Sequence, residues 1–374
     1  MKWQVQHQLQ MNKLRNQRQQ EFAQIWLDKK WGILNLCPRF GKIYTTINIL
    51  EKMNSNISIL IAYPDVKIKD SWEQDFKARG YNNSQITYTT HLSLHKYVSN
   101  EYDMVIIDEI HLLSDAQIDA LYDLTLINHE VLGLTGTLST STESELDMRL
   151  DLPVLAHYPI EQAIQEGVIV DYQITIIKVP LDNKIVQTVK GKARTEKKHF
   201  DACSWVINQL SQMGKDTMML RLKRMRIIQG SIAKLNMTKA ILNKYKEERI
   251  LVFCGTTNAA DSLDIPSHHS KSPDKEGFKK FTEGEGNHMA VVKIGNTGVT
   301  YKPLNKVILN YFDSNAENLA QKVNRCMSME YNNPDKKAQI YIISTNEEVE
   351  EKWLNKALEF FEKDKIKIVN IAEI

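Results

Sequence analysis

Two short stretches carry residue types suited to handling phosphate. In Cys37-Pro38-Arg39-Phe40-Gly41-Lys42, a glycine and a lysine sit between an apolar run at 32–36 and an amphipathic stretch at 44–53. That order reads as strand, loop, helix. Backbone N–H groups at a helix start bind phosphate, and a lysine there reaches the terminal phosphates. The full pattern has an earlier glycine and a Ser or Thr after the lysine; this chain has Arg39 and Ile43 instead. The second stretch, Ile106-Ile107-Asp108-Glu109, is an apolar run that ends in acids. An aspartate at the C-terminal edge of a buried parallel strand is placed to hold Mg²⁺. The next glutamate can orient or deprotonate a water. Gly-Lys pairs are common by chance and many strands end in acids, so each stretch alone is also explained as a turn or a solvated strand end. Their order along one βα series strengthens both.

Two further stretches gain meaning beside these. Leu134-Thr135-Gly136-Thr137 ends another apolar run, where small hydroxyls could relay a hydrogen bond; alone it is a turn. Gln321-Lys322-Val323-Asn324-Arg325 offers an arginine able to stabilise charge on a transferring phosphoryl group; alone it is a surface helix.

The elements that must position these residues follow from periodicity. A helix is expected over 9–29, with Leu14, Phe22, Ile25 and Trp26 as its apolar stripe. Short apolar strands at 32–36, 57–62, 86–89, 104–107 and 131–134 alternate with helices at 44–53, 71–78 and 116–126. This is the pattern of a parallel sheet covered on both faces. A polar, proline-containing break over 139–160 precedes one more strand at 174–179. A second βα series has strands at 250–253, 290–292, 306–309 and 339–343, then a helix at 349–361 and a strand at 366–369. Between the two series the chain is basic, with Arg221, Lys223, Arg224 and Arg226 close together. A solvated helix face and a phosphate-binding surface are equally good readings of that segment alone. Domains are expected at 1–180, 181–235 (a basic, largely helical connector) and 236–374.

Composition agrees with this. The chain has 374 residues, 42% hydrophobic and 25% charged, with a net charge of +2. No apolar run is long enough to span a membrane. Four scattered cysteines without a CxxC pair suggest neither a zinc site nor a disulfide framework, and a cytoplasmic setting is expected, bacterial or in a phage-infected host. His91 with His95, and His268 with His269, lack the partnering Cys or acids of a metal site.

Taken as a set, these stretches resemble superfamily 2 helicases of the DEAD/DEAH-box lineage. They look closest to phage and restriction-enzyme-like DNA helicases, whose phosphate loop reads Pro-Arg-x-Gly-Lys. Asp108-Glu109-Ile110-His111 matches DEAH at three of four positions. Leu134 to Thr137 looks like the third motif, Leu251-Val252-Phe253-Cys254 the fourth, Ile294-Gly295-Asn296-Thr297-Gly298 the fifth, and Gln321 to Arg325 the sixth. The resemblance covers nearly the whole chain in motif order.

It implies an α/β fold of two tandem RecA-like parallel-sheet domains (P-loop NTPases), ATP and Mg²⁺ as cofactors, and DNA, single-stranded or branched, as partner, with RNA as an alternative. It implies nucleotide contacts from Gln19 (or Gln20) at the adenine, from Pro38, Arg39, Phe40, Gly41, Lys42 and Ile43, and from Gly295, Gln321 and Arg325. Asp108 would hold Mg²⁺, Glu109 would position water, and Arg325 would be the finger. His111, Thr135 and Thr137 would couple nucleotide state to closure. Pro64, Thr90, Thr256 and Thr297 would grip a nucleic-acid strand, and Arg221, Lys223, Arg224 and Arg226 would add phosphate contacts.

Three departures stand out. Ile43 replaces the hydroxyl that touches Mg²⁺, Asn324 replaces a glycine, and Ser328 stands where a second arginine is usual. Hence a second reading: a degenerate core that binds nucleic acid without efficient turnover.

Overall fold

The computed structural model describes residues 2–53, 56–181, 185–189, 192–272, 275–292, 301, 304–328 and 336–370. They form two compact units, one running to Val170 and one starting at Asp171. The first contains helix α1 (Lys2–Lys29), strand β1 (Trp31–Leu36), α2 (Lys42–Lys52), β2 (Ile59–Tyr63), α3 (Ile68–Arg79), β3 (Ile86–Thr90) and β4 (Met104–Asp108). It continues with α4 (Asp115–Thr125), β5 (Val131–Thr135), α5 (Thr140–Leu150), β6 (Val154–Tyr158) and α6 (Ile160–Gln165).

Its six strands lie in the order β3-β2-β4-β5-β1-β6, and every pairing is parallel. Strands β2, β4 and β5 are buried along their whole length, which is why they read as unbroken apolar runs. One face packs Leu60, Val105 and Ile107 against Leu121, Leu124 and Leu146.

The stretch at 139–160, expected to be a break, instead forms α5 and β6. Strand β6 is a half-exposed edge strand that pairs with β1, so it lacks the apolar run that marks its neighbours.

The second unit begins with β7 (Tyr172–Val179), β8 (Ile185–Val189), β9 (Lys192–Thr195), α7 (Glu196–Gln212), α8 (Met218–Gln229) and α9 (Ile232–Lys244). After these come β10 (Ile250–Cys254), α10 (Thr257–Asp261), β11 (Ser267–His268), α11 (Lys275–Glu283), β12 (His288–Val292) and β13 (Lys306–Leu309). The chain ends with α12 (Ala316–Val323), β14 (Ala338–Thr345), α13 (Glu348–Ala357) and β15 (Ile366–Asn370). Seven strands make a parallel sheet in the order β11-β12-β10-β13-β14-β7-β15.

Strand β7, expected to close the first domain, pairs inside this second sheet, with β14 on one side and β15 on the other. The basic connector is therefore an insertion between strands of one sheet. It opens with an antiparallel β8–β9 hairpin before the helices α7 and α8. A buried ion pair fastens its far end: Lys234 on α9 bonds Glu350 on α13, and Glu350 Oε2 accepts from the Thr345 N–H and hydroxyl, both at 2.6 Å. Glu196 at the start of α7, also buried, accepts from Ser231 Oγ at 3.1 Å and the Ile232 N–H at 3.0 Å.

Candidate nucleotide site

In the first sheet, three adjacent strands deliver the predicted chemistry to one edge. The phosphate loop follows β1, Asp108 ends β4, and Thr135 ends β5 between them. All are C-terminal strand ends, where open α/β sheets bind ligands.

The loop is built on Gly41. Its φ of 103° lies in the left-handed region, and a Cβ there would stand 2.6 Å from Gln19 Nε2. A side chain would strain the turn and push the Gln19 amide aside. Gly136 is similarly confined: a Cβ would lie 3.0 Å from Pro38 Cγ, so the end of β5 and the loop share a narrow space.

Lys42, the first residue of α2, reaches across to Glu109, with Nζ 2.5 Å from Oε1. Burial works to lower the pKa of this amine. The Glu109 and Asp108 carboxylates outweigh it and hold the pKa above the usual lysine range. Asp108 is buried, and its pKa is pushed up to about 6 by burial, tempered by Lys42. Its Oδ2 accepts from Trp72 Nε1 at 3.1 Å, and its backbone oxygen lies 2.9 Å from His91 Nε2. Glu109 itself adopts φ 51°, ψ 51°, which turns the chain out of the strand.

His111 follows on a short 3-10 turn. Its ring is fully buried, with Nδ1 2.8 Å from Thr135 Oγ1. Burial lowers its pKa to about 4, so the ring is neutral at physiological pH. The Thr135 hydroxyl donates to Thr137 O at 2.8 Å, so the imidazole must supply the proton between them. That fixes the Nδ1–H tautomer and leaves Nε2 a buried acceptor with no partner among the described residues.

Gln19 lies beneath the loop. It is 2% exposed, and Nε2 donates to Phe40 O at 3.0 Å. Its Oε1 is buried and has no partner among the described residues. Helix α1 is held in place by Arg18, whose Nε and Nη2 both bond Glu166, at 3.0 and 2.5 Å. Glu166 also accepts from Tyr158 Oη and Gln162 Nε2, each at 2.9 Å, and the Arg18 bonds pull its carboxyl pKa below the ordinary value. The rings of Phe22, Phe40 and Tyr158 pack together, joining α1, the loop and β6.

An unpartnered acceptor beside the loop and a phosphate cradle that only glycine fits suit a nucleotide. Lys42 and the loop amides would hold its phosphates, Gln19 its base edge, and Asp108 its Mg²⁺. The hydroxyl normally after the lysine is not replaced by its neighbours. Thr45 and Thr46 are buried and donate to Gly41 O and Lys42 O, at 3.3 and 3.1 Å.

Pro64 and Thr90 sit at the ends of β2 and β3, the half of the same edge away from the phosphate loop. In the second unit, Thr256 caps α10 by accepting from the Ala259 N–H at 3.1 Å. Gln321 lies on α12, and Asn324 and Arg325 just after it are buried. Lys322 is buried too, its amine 5.1 Å from the Tyr311 ring centroid. Gly295 and Thr297 lie outside the described residues. Arg221, Lys223 and Arg226 are exposed on α8. Arg224, grouped with them from sequence, instead leans on α7: its Nη1 is 3.3 Å from Ser204 Oγ and its guanidinium 5.9 Å from the Phe200 ring centroid.

Trp72, His91, Arg18, Glu166 and Tyr158 were not anticipated as site residues. The paired histidines have ordinary structural partners: His91 bonds the chain at Asp108, and His269 Nε2 lies 2.9 Å from Asp261.

No family model matches the sequence. The DNA 3'-5' translocase XPB2 of Sulfurisphaera tokodaii is 22% identical over 315 residues, spanning 75% of this chain and 71% of the relative. S. cerevisiae Dbp5 bound to RNA and ADP BeF3 has a similar structure, with TM-score 0.62 and 10% identity over 94% of this chain and 89% of that one. A fragment of a putative HsdR subunit of a type I restriction enzyme from Vibrio vulnificus gives TM-score 0.59 and 14% identity, over 91% of this chain and 65% of that one. The two parallel sheets and these structural likenesses show an α/β fold of two RecA-like domains.

Proposed function

We propose that this chain is a nucleic-acid-dependent ATPase that moves on or remodels DNA. The observation that carries the reading is the convergence of Lys42, Asp108 and Glu109 on one sheet edge, with Gln19 beneath the loop. In this reading Lys42 leaves Glu109 to bind phosphate. The freed Glu109 carboxylate orients and deprotonates a water. Asp108 would hold Mg²⁺, which would supply charge neutralisation at the phosphates, and Arg325 would add a cation in the transition state. Pro64, Thr90, Thr256 and Thr297 grip the polymer backbone rather than read bases. DNA is preferred to RNA because the sequence relative is a DNA translocase. The activity is assigned to the cytoplasm; no helix among the described residues is long and apolar enough to cross a membrane.

The test is ATP turnover with duplex DNA, single-stranded DNA and RNA in parallel, with Glu109→Gln as control. Stimulation by DNA, lost in the control, supports the reading. No turnover with any polymer sinks it. The second reading, a core that binds nucleic acid without efficient turnover, draws on the missing hydroxyl: Ile43 has none, and those of Thr45 and Thr46 are tied to the helix backbone.

A further inference from the structure

Cations in the second unit fall into two groups. Lys197, Lys239, Lys352 and Lys365 each face a carboxylate within 3.1 Å. Lys215, Arg221, Lys223 and Arg226, all exposed on or just before α8, have no carboxylate partner among the described residues. The nearby Asp216 is engaged by its own turn, where Oδ1 accepts from the Met218 N–H at 2.8 Å. Other exposed cations of this unit, Lys246, Lys271 and Lys356 among them, also lack a carboxylate partner among the described residues; α8 differs in placing Arg221, Lys223 and Arg226 within six residues.

Exposed apolar side chains lie on α7 and α8. Met218 and Met219 are 63% and 73% exposed, and Trp205 on α7 is 65% exposed. Between the α7–α8 turn and α13 runs an open groove of about 650 Å³, lined by Met218, Leu222, Met225 and Trp353 with Lys215 and Arg221. Trp353 is anchored against Leu181, Phe200 and Ile228, so one wall of the groove is a fixed aromatic ring. Arg221 is oriented by its own helix, with Nε donating to Thr217 Oγ1 at 3.0 Å.

A ligand for this surface needs regularly placed negative charge and flat apolar faces. Single-stranded nucleic acid has both; a duplex hides its base faces. Binding by aromatic stacking within a basic groove is how proteins hold single strands without reading sequence.

We propose that the α7–α8 hairpin with its groove is a binding site for single-stranded nucleic acid that works without nucleotide. An unstacked base enters against Trp353, Met218 and Met225. The adjoining phosphates lie on Lys215 and Arg221, and Lys223 and Arg226 extend the positive charge along α8. The choice of polymer rests on the helicase reading; the site itself lies wholly within one unit and needs no ATP.

The test uses the full chain without ATP and fluorescence anisotropy of labelled oligothymidylate. An abasic oligonucleotide of equal length and an acidic amphipathic peptide serve as comparison ligands. Oligothymidylate is expected to bind several-fold tighter than the abasic strand. Combined Arg221→Glu, Lys223→Glu and Arg226→Glu substitutions are expected to weaken binding at least tenfold and flatten the logarithmic salt slope by about 2, from three lost contacts at ~0.7 each. Met218→Ser is expected to narrow the difference between oligothymidylate and the abasic strand without altering the salt slope. Equal affinity for both strands, an unchanged salt slope in the triple variant, or tighter binding of the peptide would overturn the proposal. DNA-stimulated ATP turnover alongside any of those results removes this site and leaves the motor. Hairpin-dependent strand binding without turnover does the reverse.

Discussion

Lys42 Nζ and Glu109 Oε1 stand 2.5 Å apart, so the two charges that the proposed reaction most needs are spent on each other. Phosphate must compete for the amine, and success frees the carboxylate. Glu109→Gln is therefore expected to keep nucleotide affinity at or above the wild-type level while turnover falls roughly 10²–10⁴-fold. Lys42→Ala loses nucleotide binding outright. Fluorescent-nucleotide titration beside steady-state turnover checks both. Weaker binding by the glutamine variant would show that the pair does not restrain Lys42.

Ile43 occupies the first turn of α2 where a hydroxyl would meet the metal, and the threonines that follow are tied to Gly41 and Lys42 carbonyls. Ile43→Thr supplies a hydroxyl at the right place. Mg²⁺-dependent turnover is expected to rise about tenfold, which is ~1.4 kcal/mol in the transition state. A Mg²⁺ titration of rate compares the two proteins. No gain would mean that another group already fills this role.

Gln19 is presented by a helix whose next-door anchor is the Arg18–Glu166 pair, at 2.5 Å. Glu166→Ala is expected to raise KM for ATP about tenfold and to narrow the preference for ATP over GTP, with kcat little changed. Glu166→Gln, which retains an acceptor, restores part of the preference. Equal losses for ATP and GTP would mark the pair as a general support of the fold and not as a positioning device for Gln19.

Burial lowers the His111 pKa from 6.5 to about 4. The unfolded chain then binds a proton that the folded chain refuses, so this residue's contribution is fully present above pH 6.5. It is lost as pH falls from 6.5 through about 4. The slope reaches ~1.4 kcal/mol per pH unit for one proton. His91, lowered to about 4 by burial as well, adds in the same direction. Urea unfolding at pH 7, 6 and 5 is expected to show a shallower pH dependence for His111→Gln than for wild type, with His91 and, in the opposite direction, Asp108 setting the remainder. Parallel curves would contradict a neutral buried imidazole.

What could be read from sequence is what adjacent residues determine. Asp108 and Glu109 end an unbroken apolar run, and Gly41-Lys42 opens a helix, so both were visible in a few letters. Trp72 lies 36 positions from Asp108, and Arg18 lies 148 from Glu166. Tryptophan and arginine have many ordinary uses, and nothing local marks these as partners of the site. Strand β6 escaped notice because an edge strand buries only part of its surface. Strand β7 is legible as a strand and falls inside the expected 1–180 domain, yet it pairs in the second sheet, because its alternation says nothing about which neighbours it will meet.

The position of β7 has a mechanical consequence. The insertion bearing α7 and α8 grows directly from its C-terminal end, and β7 is no edge strand: it is registered with β14 over Tyr172 to Val179 and with β15 over Ile174 to Lys178. A pull on the hairpin along the strand would load these two ladders in shear, many bonds at once, where an edge strand peeled sideways would yield one bond at a time. The hairpin is mounted as a lever is mounted, with its fulcrum inside the sheet.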